Sequence, residues 1–193
     1  MSVRLSRDEA WTLLAEWVSS ESLRRHCLAV ETAMRAYAER FGEDVELWGV
    51  VGLLHDMDYE RFPDMDDAES GHPRSTMKLL AERDVDPVII RGIASHADFM
   101  GVPRESRMEK TLAAVDELSG FLLACAAVRP DGLHGLTAKS VKKKLKQPSF
   151  AAAVNREDVR RGAEELGVDF DEHVNFVAAA LEARAAELLP AAA

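Results

Sequence analysis

GVVGLLHDMDYERF, residues 49–62, ends an apolar run with an imidazole and a carboxylate side by side, His55 and Asp56. Burying these two polar groups at the end of an apolar segment is costly unless they find a partner. A divalent metal ion is such a partner. The stretch therefore predicts a metal site where a buried helix ends, and it directs the search for further ligands to the other histidines and aspartates of the chain.

The composition favours a folded protein with an acidic surface. The 193 residues are 47% hydrophobic, which is enough for a core, and the formal net charge is -10 with a pI of about 5.1. A net acidic chain argues against duplex nucleic acid and membranes as partners, although it allows a local basic patch. The N-terminus has no apolar signal segment, and no apolar run is long enough to span a membrane. Since Cys27 and Cys125 lie in apolar helical patterns, we expect reduced core residues in a cytoplasmic protein.

Apolar residues recur with the helical period along the whole chain, so the sequence predicts an all-α fold. No repeat or linker divides it, and we expect one helical domain over residues 1–193, with a core at about 20–130 and a helical extension at about 137–189. The tail after Pro190 is expected to fray. Capping and stop signals predict helices at about 7–18, 21–41, 44–56, 73–83, 86–96, 105–128, 139–146, 156–167 and 170–189.

Three histidines fall on core-facing positions of separate predicted helices. They are His26, His55 and His96. One such histidine is more often a hydrogen-bonded core residue than a ligand, but imidazoles from several helices are how bundles build metal sites. Asp116 adds a carboxylate in the middle of a long apolar helix, where it needs a proton or a cation unless it lies at a solvated edge. Nitrogen and oxygen ligands without thiolate suit manganese, iron, nickel, cobalt or zinc.

The order of these residues, a histidine, then an adjacent His-Asp pair, then an aspartate, resembles the H…HD…D signature of the HD-domain superfamily of metal-dependent phosphohydrolases. The resemblance extends over roughly residues 20–185. Over this range the chain is similar to small HD proteins of about this length. It implies an HD-type helical bundle with additional C-terminal helices. The segments that carry it are GLLHDMDYERFP, GHP, SHAD, MEKTLAAVDELSGF, VRPDG and KSVKKKLKQPSFAAAVNRE.

The resemblance implies a role for each residue of the signature. A first divalent metal would be held by His26, His55, Asp56 and Asp116. In binuclear members the aspartate of the pair bridges to a second metal, and here His72 and His96 stand where its histidine ligands should be. The alternative for His72 is a helix cap in a solvated loop, because Pro73 fits the first position of the next helix. The alternative for His96 is an ordinary histidine at a helix end.

The chain departs from two branches of the superfamily. The pair continues as Met57-Asp58-Tyr59 rather than Ile-Gly-Lys, and the adjacent histidine pair of the cyclic-dinucleotide phosphodiesterases is missing. We therefore do not assign that activity, nor that of the alarmone hydrolases. A metal bound by such ligands lowers the pKa of its water, which could then attack phosphorus, with Asp56 at the reaction centre. Candidates for the general acid are Glu117, Asp58 and Glu69.

A lysine-rich helix stands out in this acidic chain. Its run from Lys139 to Lys146 is either a solvated helix face or a phosphate-gathering patch, in which Lys143, Lys144 and Arg129 would bind substrate. No aromatic residues are interleaved for binding single strands. Outside the signature, His134 is interpreted as a turn residue and His173 as a residue on a helix surface.

The function expected from these residues is hydrolysis of a phosphoester in a nucleotide or small phosphorylated metabolite. Two alternatives stay open. The six ligands also resemble those of di-iron HD-type oxygenases that cleave C–C or C–P bonds, and a ligand-sensing module could keep the pocket without catalysis. An oxygenase needs iron and dioxygen, whereas hydrolysis proceeds anaerobically with manganese, cobalt or nickel. The substrate, the native metal, the presence of one or two ions, and a homodimer all remain open.

Overall fold

A computed structural model describes residues 2–189 as an assembly of α-helices. Within that range there is no β-strand, only an isolated parallel bridge between Val3 and Val85. The all-α prediction is confirmed. No helix in the described range combines the length and apolar character of a membrane span. The helices are α1 (Arg7–Trp17), α2 (Glu21–Phe41), α3 (Val45–Leu54), α4 (Arg74–Glu82), α5 (Pro87–His96), α6 (Arg107–Ala127), α7 (Ala138–Leu145), α8 (Arg156–Leu166), α9 (Phe170–Glu182) and α10 (Ala185–Leu188), with a short 3-10 helix at Asp98–Met100.

Local capping signals set most helix boundaries. Ser6 and Glu9 form a reciprocal capping box at the start of α1, as the sequence predicts. Helix α2 ends at Phe41 and is capped by Gly42, whose φ of 69° lies in the left-handed region that glycine tolerates best. The predicted range of α2 is therefore confirmed at both ends.

The structure differs from the prediction at the start of α4 and within the last predicted helix. Helix α4 begins at Arg74 with Pro73 as its N-cap, and His72 caps nothing because its ring is buried in the interior. The last predicted helix is divided, since α9 ends at Glu182 and α10 starts again at Ala185. The prediction for the tail after Pro190 lies outside the described residues.

The long helices α2 and α6 contact each other and organise the packing. Helix α3 packs on α2 and also contacts α1 and α5, while α8 and α9 pack on α6. The crossing of α2 and α3 is close, because a Cβ atom on Gly52 would lie 3.1 Å from the backbone of Glu31. Buried apolar side chains from α1 to α10 form one connected cluster, and each large one contributes about 1.5–3 kcal/mol on burial.

A second close crossing brings α8 against α6. A Cβ atom on Gly162 of α8 would lie 2.5 Å from the Cα atom of Ala114 and 3.0 Å from the carbonyl oxygen of Ala113. Side chains in a packed interior do not approach backbone atoms this closely. Glycine at this position therefore allows α8 to lie directly on α6, where it forms one wall of the cavity described below.

The prediction that His173 lies on a helix surface is wrong. Its side chain is fully buried, with Nε2 3.0 Å from the carbonyl oxygen of Ala114 and Nδ1 2.6 Å from the hydroxyl of Tyr37. Because a carbonyl oxygen only accepts, Nε2 carries the proton and Nδ1 accepts a hydrogen bond from the tyrosine. The sequence pattern missed this because the partners lie on α6 and α2, far away along the chain. By contrast, Cys27 and Cys125 are buried and unpaired, as predicted.

Candidate metal centre

Four imidazoles and two carboxylates converge where α2, α3, α5 and α6 meet. The residues from helices are His26 on α2, His96 at the end of α5 and Asp116 in the middle of α6. Those just outside helices are His55 and Asp56, directly after α3, and His72, just before α4. The structure thus brings together all six side chains that the sequence marks as candidate ligands.

The first group of ligand atoms surrounds the Nε2 atoms of His26 and His55, which lie 3.2 Å apart. Oδ1 of Asp116 is 3.1 Å from the former and 3.3 Å from the latter. The carboxylate of Asp56 lies 3.5 Å and 3.6 Å from the same two nitrogens. Ligands bound at about 2.1 Å and at right angles to each other would be roughly 3 Å apart. The spacing is therefore suited to one cation.

The second group shares one carboxylate with the first. The Nε2 atoms of His72 and His96 lie 3.1 Å apart. Oδ1 of Asp56 is 3.4 Å from the former and 3.6 Å from the latter. Asp56 therefore faces both groups, and the donor set fits two neighbouring cations as well as one.

The backbone orients two of the imidazoles. Nδ1 of His55 lies 2.7 Å from the carbonyl oxygen of Gly52, and Nδ1 of His96 lies 2.6 Å from that of Ile93. Each Nδ1 must donate to its carbonyl, so each Nε2 presents a lone pair to the ligand cluster. These rings are thus held in the tautomer that metal binding needs.

A buried carboxylate orients the third imidazole. Oδ1 of Asp58 is 2.7 Å from Nδ1 of His72, and its Oδ2 accepts a hydrogen bond from the amide of Thr76 at 2.8 Å. Asp58 is a candidate acid in the sequence and follows the predicted helix 44–56, but its side chain is fully buried. Helical turns continue after α3 and return the side chain to the interior. Glu69, the other loop candidate, is exposed and lies outside the cavity lining.

The electrostatics of the cluster favour a positive charge. Burial opposes protonation of His55, but the charges of Asp56 and Asp116 outweigh it and raise its pKa to about 9. Burial likewise opposes the charge on both carboxylates, yet the neighbouring imidazoles hold their pKa values below the usual range. The two carboxylates thus favour a positive charge at this position, which a metal cation would supply.

A cavity of about 450 Å³ opens over the ligand cluster. Its lining includes Glu117, whose Oε2 accepts a hydrogen bond from the backbone amide of Asn155 at 3.1 Å. Burial, and then the charge of Asp116, raises the pKa of Glu117 to about 7. The carboxyl predicted as a catalytic acid therefore lies beside the ligand cluster, with a raised pKa. The other walls of the cavity include Tyr59, Met65, Asp98, Phe99, Arg104, Asp158, Arg161 and Glu165.

The basic residues predicted to bind substrate do not line this cavity. Arg129 donates to the carbonyl oxygen of His134 at 2.7 Å within its own turn. The ammonium of Lys144 lies 4.5 Å from the ring centroid of Phe150, and Lys143 is exposed. The structure gives no support for their predicted role, because the lysine-rich helix α7 packs on α9 and α6 away from the ligand cluster.

The basic side chains that do line the cavity are Arg104 and Arg161, which the sequence analysis missed. Arg104 lies between α5 and α6, and Arg161 lies on α8. Nothing in their local sequence distinguishes them from other surface arginines. Their position depends on the close packing of α8 against α6, which only the folded structure shows.

A family model described as HD domain matches residues 23–120, slightly more than half of the 193 residues. The match includes all six candidate ligands and ends shortly after Asp116, so α8 and the wall it forms lie outside it. A search of curated proteins and a search of solved structures each returned no match.

Proposed function

The chain belongs to the HD-domain family, and from this premise we propose that it is a metal-dependent phosphohydrolase that cleaves a small phosphate ester. The family consists mostly of metal-dependent hydrolases. The observation that best supports the proposal is the pair of ligand groups that share Asp56 at the floor of an open cavity. A structural histidine cluster would have no need of four Nε2 atoms facing the carboxylate of Asp56.

The ligand groups assign the residues that would hold each ion. The first ion would be bound by His26, His55, Asp56 and Asp116, and the second by Asp56, His72 and His96. Bound divalent ions would supply a water of lowered pKa and positive charge for the phosphoryl oxygens. Two carboxylates against two divalent ions leave a net positive floor, which is suited to a phosphate dianion.

We propose that Glu117 is the general acid that donates a proton to the leaving group. Its carboxyl lines the cavity next to a candidate ligand, and with a pKa of about 7 it can hold a proton at neutral pH. A hydrogen bond from the backbone amide of Asn155 holds Oε2 of Glu117 in place. Burial is the larger cause of its raised pKa, and burial does not depend on the charge of the metal cluster.

The test is elemental analysis and phosphate release on full-length protein purified without chelators or a metal-affinity tag. We expect about two metals per chain, and anaerobic hydrolysis of p-nitrophenyl phosphate with manganese, cobalt or nickel. Asp56→Ala should lose both metals and turnover while helix content survives. The matched control is Asp66→Ala, an exposed aspartate in the following loop.

Three other results would contradict the proposal or favour an alternative function. Metal and turnover retained in Asp56→Ala would contradict the metal centre itself. Turnover that requires both iron and dioxygen would favour the oxygenase alternative on the same ligands. Metal binding without turnover across a broad panel of phosphate esters would favour a ligand-sensing module.

A further inference from the structure

Exposed apolar side chains cluster around the mouth of the cavity. Tyr59, Met65 and Phe99 are 40%, 41% and 45% exposed, and all three line the cavity. The other large apolar side chains of the described residues with comparable exposure are valines that lie elsewhere. Single exposed apolar residues need no explanation, but several around one cavity mark a surface that is covered when a ligand binds.

Neighbouring groups hold the two aromatic rings of this rim in place. The ring of Tyr59 meets that of His72 edge-on at a centroid distance of 5.3 Å. The guanidinium of Arg74 lies 5.6 Å from the ring centroid of Phe99. Since His72 is also a candidate metal ligand, the apolar rim begins directly beside the place proposed for the phosphoryl group. A substrate seated there would place an apolar body against the rim.

The wall that contains Arg104 and Arg161 offers little positive charge for further phosphates. Arg104 donates to Glu165 at 3.1 Å and to the carbonyl oxygen of Ser95 at 2.9 Å, and it also pairs with Asp98. Its guanidinium is therefore occupied by groups of the protein.

Arg161 is neutralised in the same way. Its Nη2 lies 2.7 Å from Asp158 and 2.5 Å from Asp98. The wall therefore has two guanidiniums, those of Arg104 and Arg161, and three carboxylates, those of Asp98, Asp158 and Glu165. Among residues 2–189 no other lysine or arginine lines the cavity. A second phosphate of a substrate would therefore face a wall with a net negative charge.

We propose that the substrate is a monophosphate ester with an aromatic or bulky apolar body, and that Tyr59, Met65 and Phe99 determine this specificity. The inference rests on the proposed hydrolase function. In the reaction, a water oxygen forms the new bond to phosphorus, the ester P–O bond breaks, and the departing oxygen takes a proton, which leaves an alcohol and inorganic phosphate. Diphosphates and triphosphates would bind more weakly, because their additional phosphates would face Arg104 and Arg161 together with the three carboxylates that pair with them.

Binding of phosphonates tests this specificity without requiring turnover. Calorimetry on the full chain loaded with manganese would compare 2-phenylethylphosphonate with ethylphosphonate, which differ only in the apolar body. We expect the phenyl compound to bind roughly tenfold more tightly. Phe99→Ala should reduce the ratio of the two Kd values to about twofold, whereas Val88→Ala, an exposed apolar residue outside the cavity, should not change it.

A second comparison tests the charged wall. 2-Phenylethyl diphosphate should bind more weakly than the monophosphonate, and Asp158→Asn should strengthen diphosphate binding because it removes one carboxylate. Equal Kd values for the two phosphonates, or tighter binding of the diphosphate by the wild type, would overturn the proposal. Hydrolysis of 2-phenylethyl phosphate is then measured separately. Preferential phosphonate binding without hydrolysis would contradict the proposed function but support the apolar specificity.

Discussion

The carboxylate of Asp58 lies 2.7 Å from Nδ1 of His72 and so acts on the candidate metal centre from behind one of its ligands. The corresponding nitrogens of His55 and His96 donate to neutral backbone carbonyls instead. An anionic acceptor makes an imidazole a more basic ligand than a neutral one does. Because the second ligand group has only the shared carboxylate of Asp56, the buried carboxylate of Asp58 would help to balance the charge of a cation bound there.

This relationship predicts a selective loss of the second metal. Asp58→Asn should weaken the binding of the second ion by about 10–100-fold. At limiting manganese, the metal content should fall from about two to about one ion per chain. Elemental analysis after equilibrium dialysis measures the change, and Asp66→Asn in the exposed loop is the control. Two tightly bound ions in Asp58→Asn would show that Asp58 only supports the helix α4, where it accepts from Thr76.

Glu31 is expected to be critical for stability because it is a buried carboxylate among arginines. Its oxygens lie 2.8 Å from Arg7, 3.6 Å from Arg184 and 3.9 Å from Arg35, and its side chain is 1% exposed. Glu31→Gln would leave these guanidiniums without their shared charge and should lower the free energy of unfolding by about 3 kcal/mol.

Urea unfolding at neutral pH checks the Glu31 prediction. The control, Glu39→Gln, changes an exposed carboxylate on the same helix and should shift the free energy of unfolding by less than about 0.5 kcal/mol. Equal effects of the two substitutions would mean that the arginines around Glu31 are adequately solvated without it.

The buried imidazole of His173 should make stability depend on pH. Burial lowers its pKa in the folded state, whereas the unfolded chain titrates near the ordinary value of about 6.5. Below that pH the unfolded state takes up a proton that the folded state resists, so this residue reduces the free energy of unfolding as the pH falls. Above it, both states are neutral at this position and the effect disappears.

Comparison with His173→Gln isolates this contribution. At about pH 7.5 the variant should be less stable by about 1–2 kcal/mol, because it disrupts the hydrogen bonds with Tyr37 and Ala114. At about pH 5.5 the difference from the wild type should be smaller, since only the wild type carries the protonation penalty. The titration of other groups is common to both proteins. A difference that stays the same at both pH values would contradict the prediction.

Gly162 should be required for the packing of α8 on α6. A Cβ atom there would lie 2.5 Å from the Cα atom of Ala114, and backbone atoms cannot move aside as a flexible side chain can. Although alanine favours a helix by about 1 kcal/mol over glycine, Gly162→Ala should lower the free energy of unfolding by about 1–3 kcal/mol. Thermal unfolding measures the effect of Gly162→Ala, and Arg160→Ala, at an exposed position on α8, is the control. Stabilisation by Gly162→Ala would contradict the close crossing.

Helix boundaries were predictable where the signal is local. The capping box of Ser6 and the left-handed Gly42 act through residues three or four positions away. The break between α9 and α10 was not predictable from the sequence, because that alanine-rich segment has helical propensity throughout. In the structure Arg184 lies at this break and pairs with Glu31 and the hydroxyl of Thr32 on α2, which are distant in sequence.

The candidate metal ligands were predictable for a different reason. Their residue types, their order and their positions on apolar helix faces are all visible in the chain, and the family match from 23 to 120 confirms the resemblance. The surroundings of the site were not visible. The sequence marked Asp58 only as a candidate acid, and it did not mark Arg104.

By itself, the sequence determined the all-α fold and the order of the candidate ligands, because the helical period, the caps and the His-Asp pair are properties of neighbouring residues. Only the tertiary structure decided which polar groups are buried or partly buried and paired, such as His173 with Tyr37 and Arg104 with Glu165. These pairings depend on how α8 and α9 pack against α6 and α2, and burial makes each group require a partner that its local sequence does not contain.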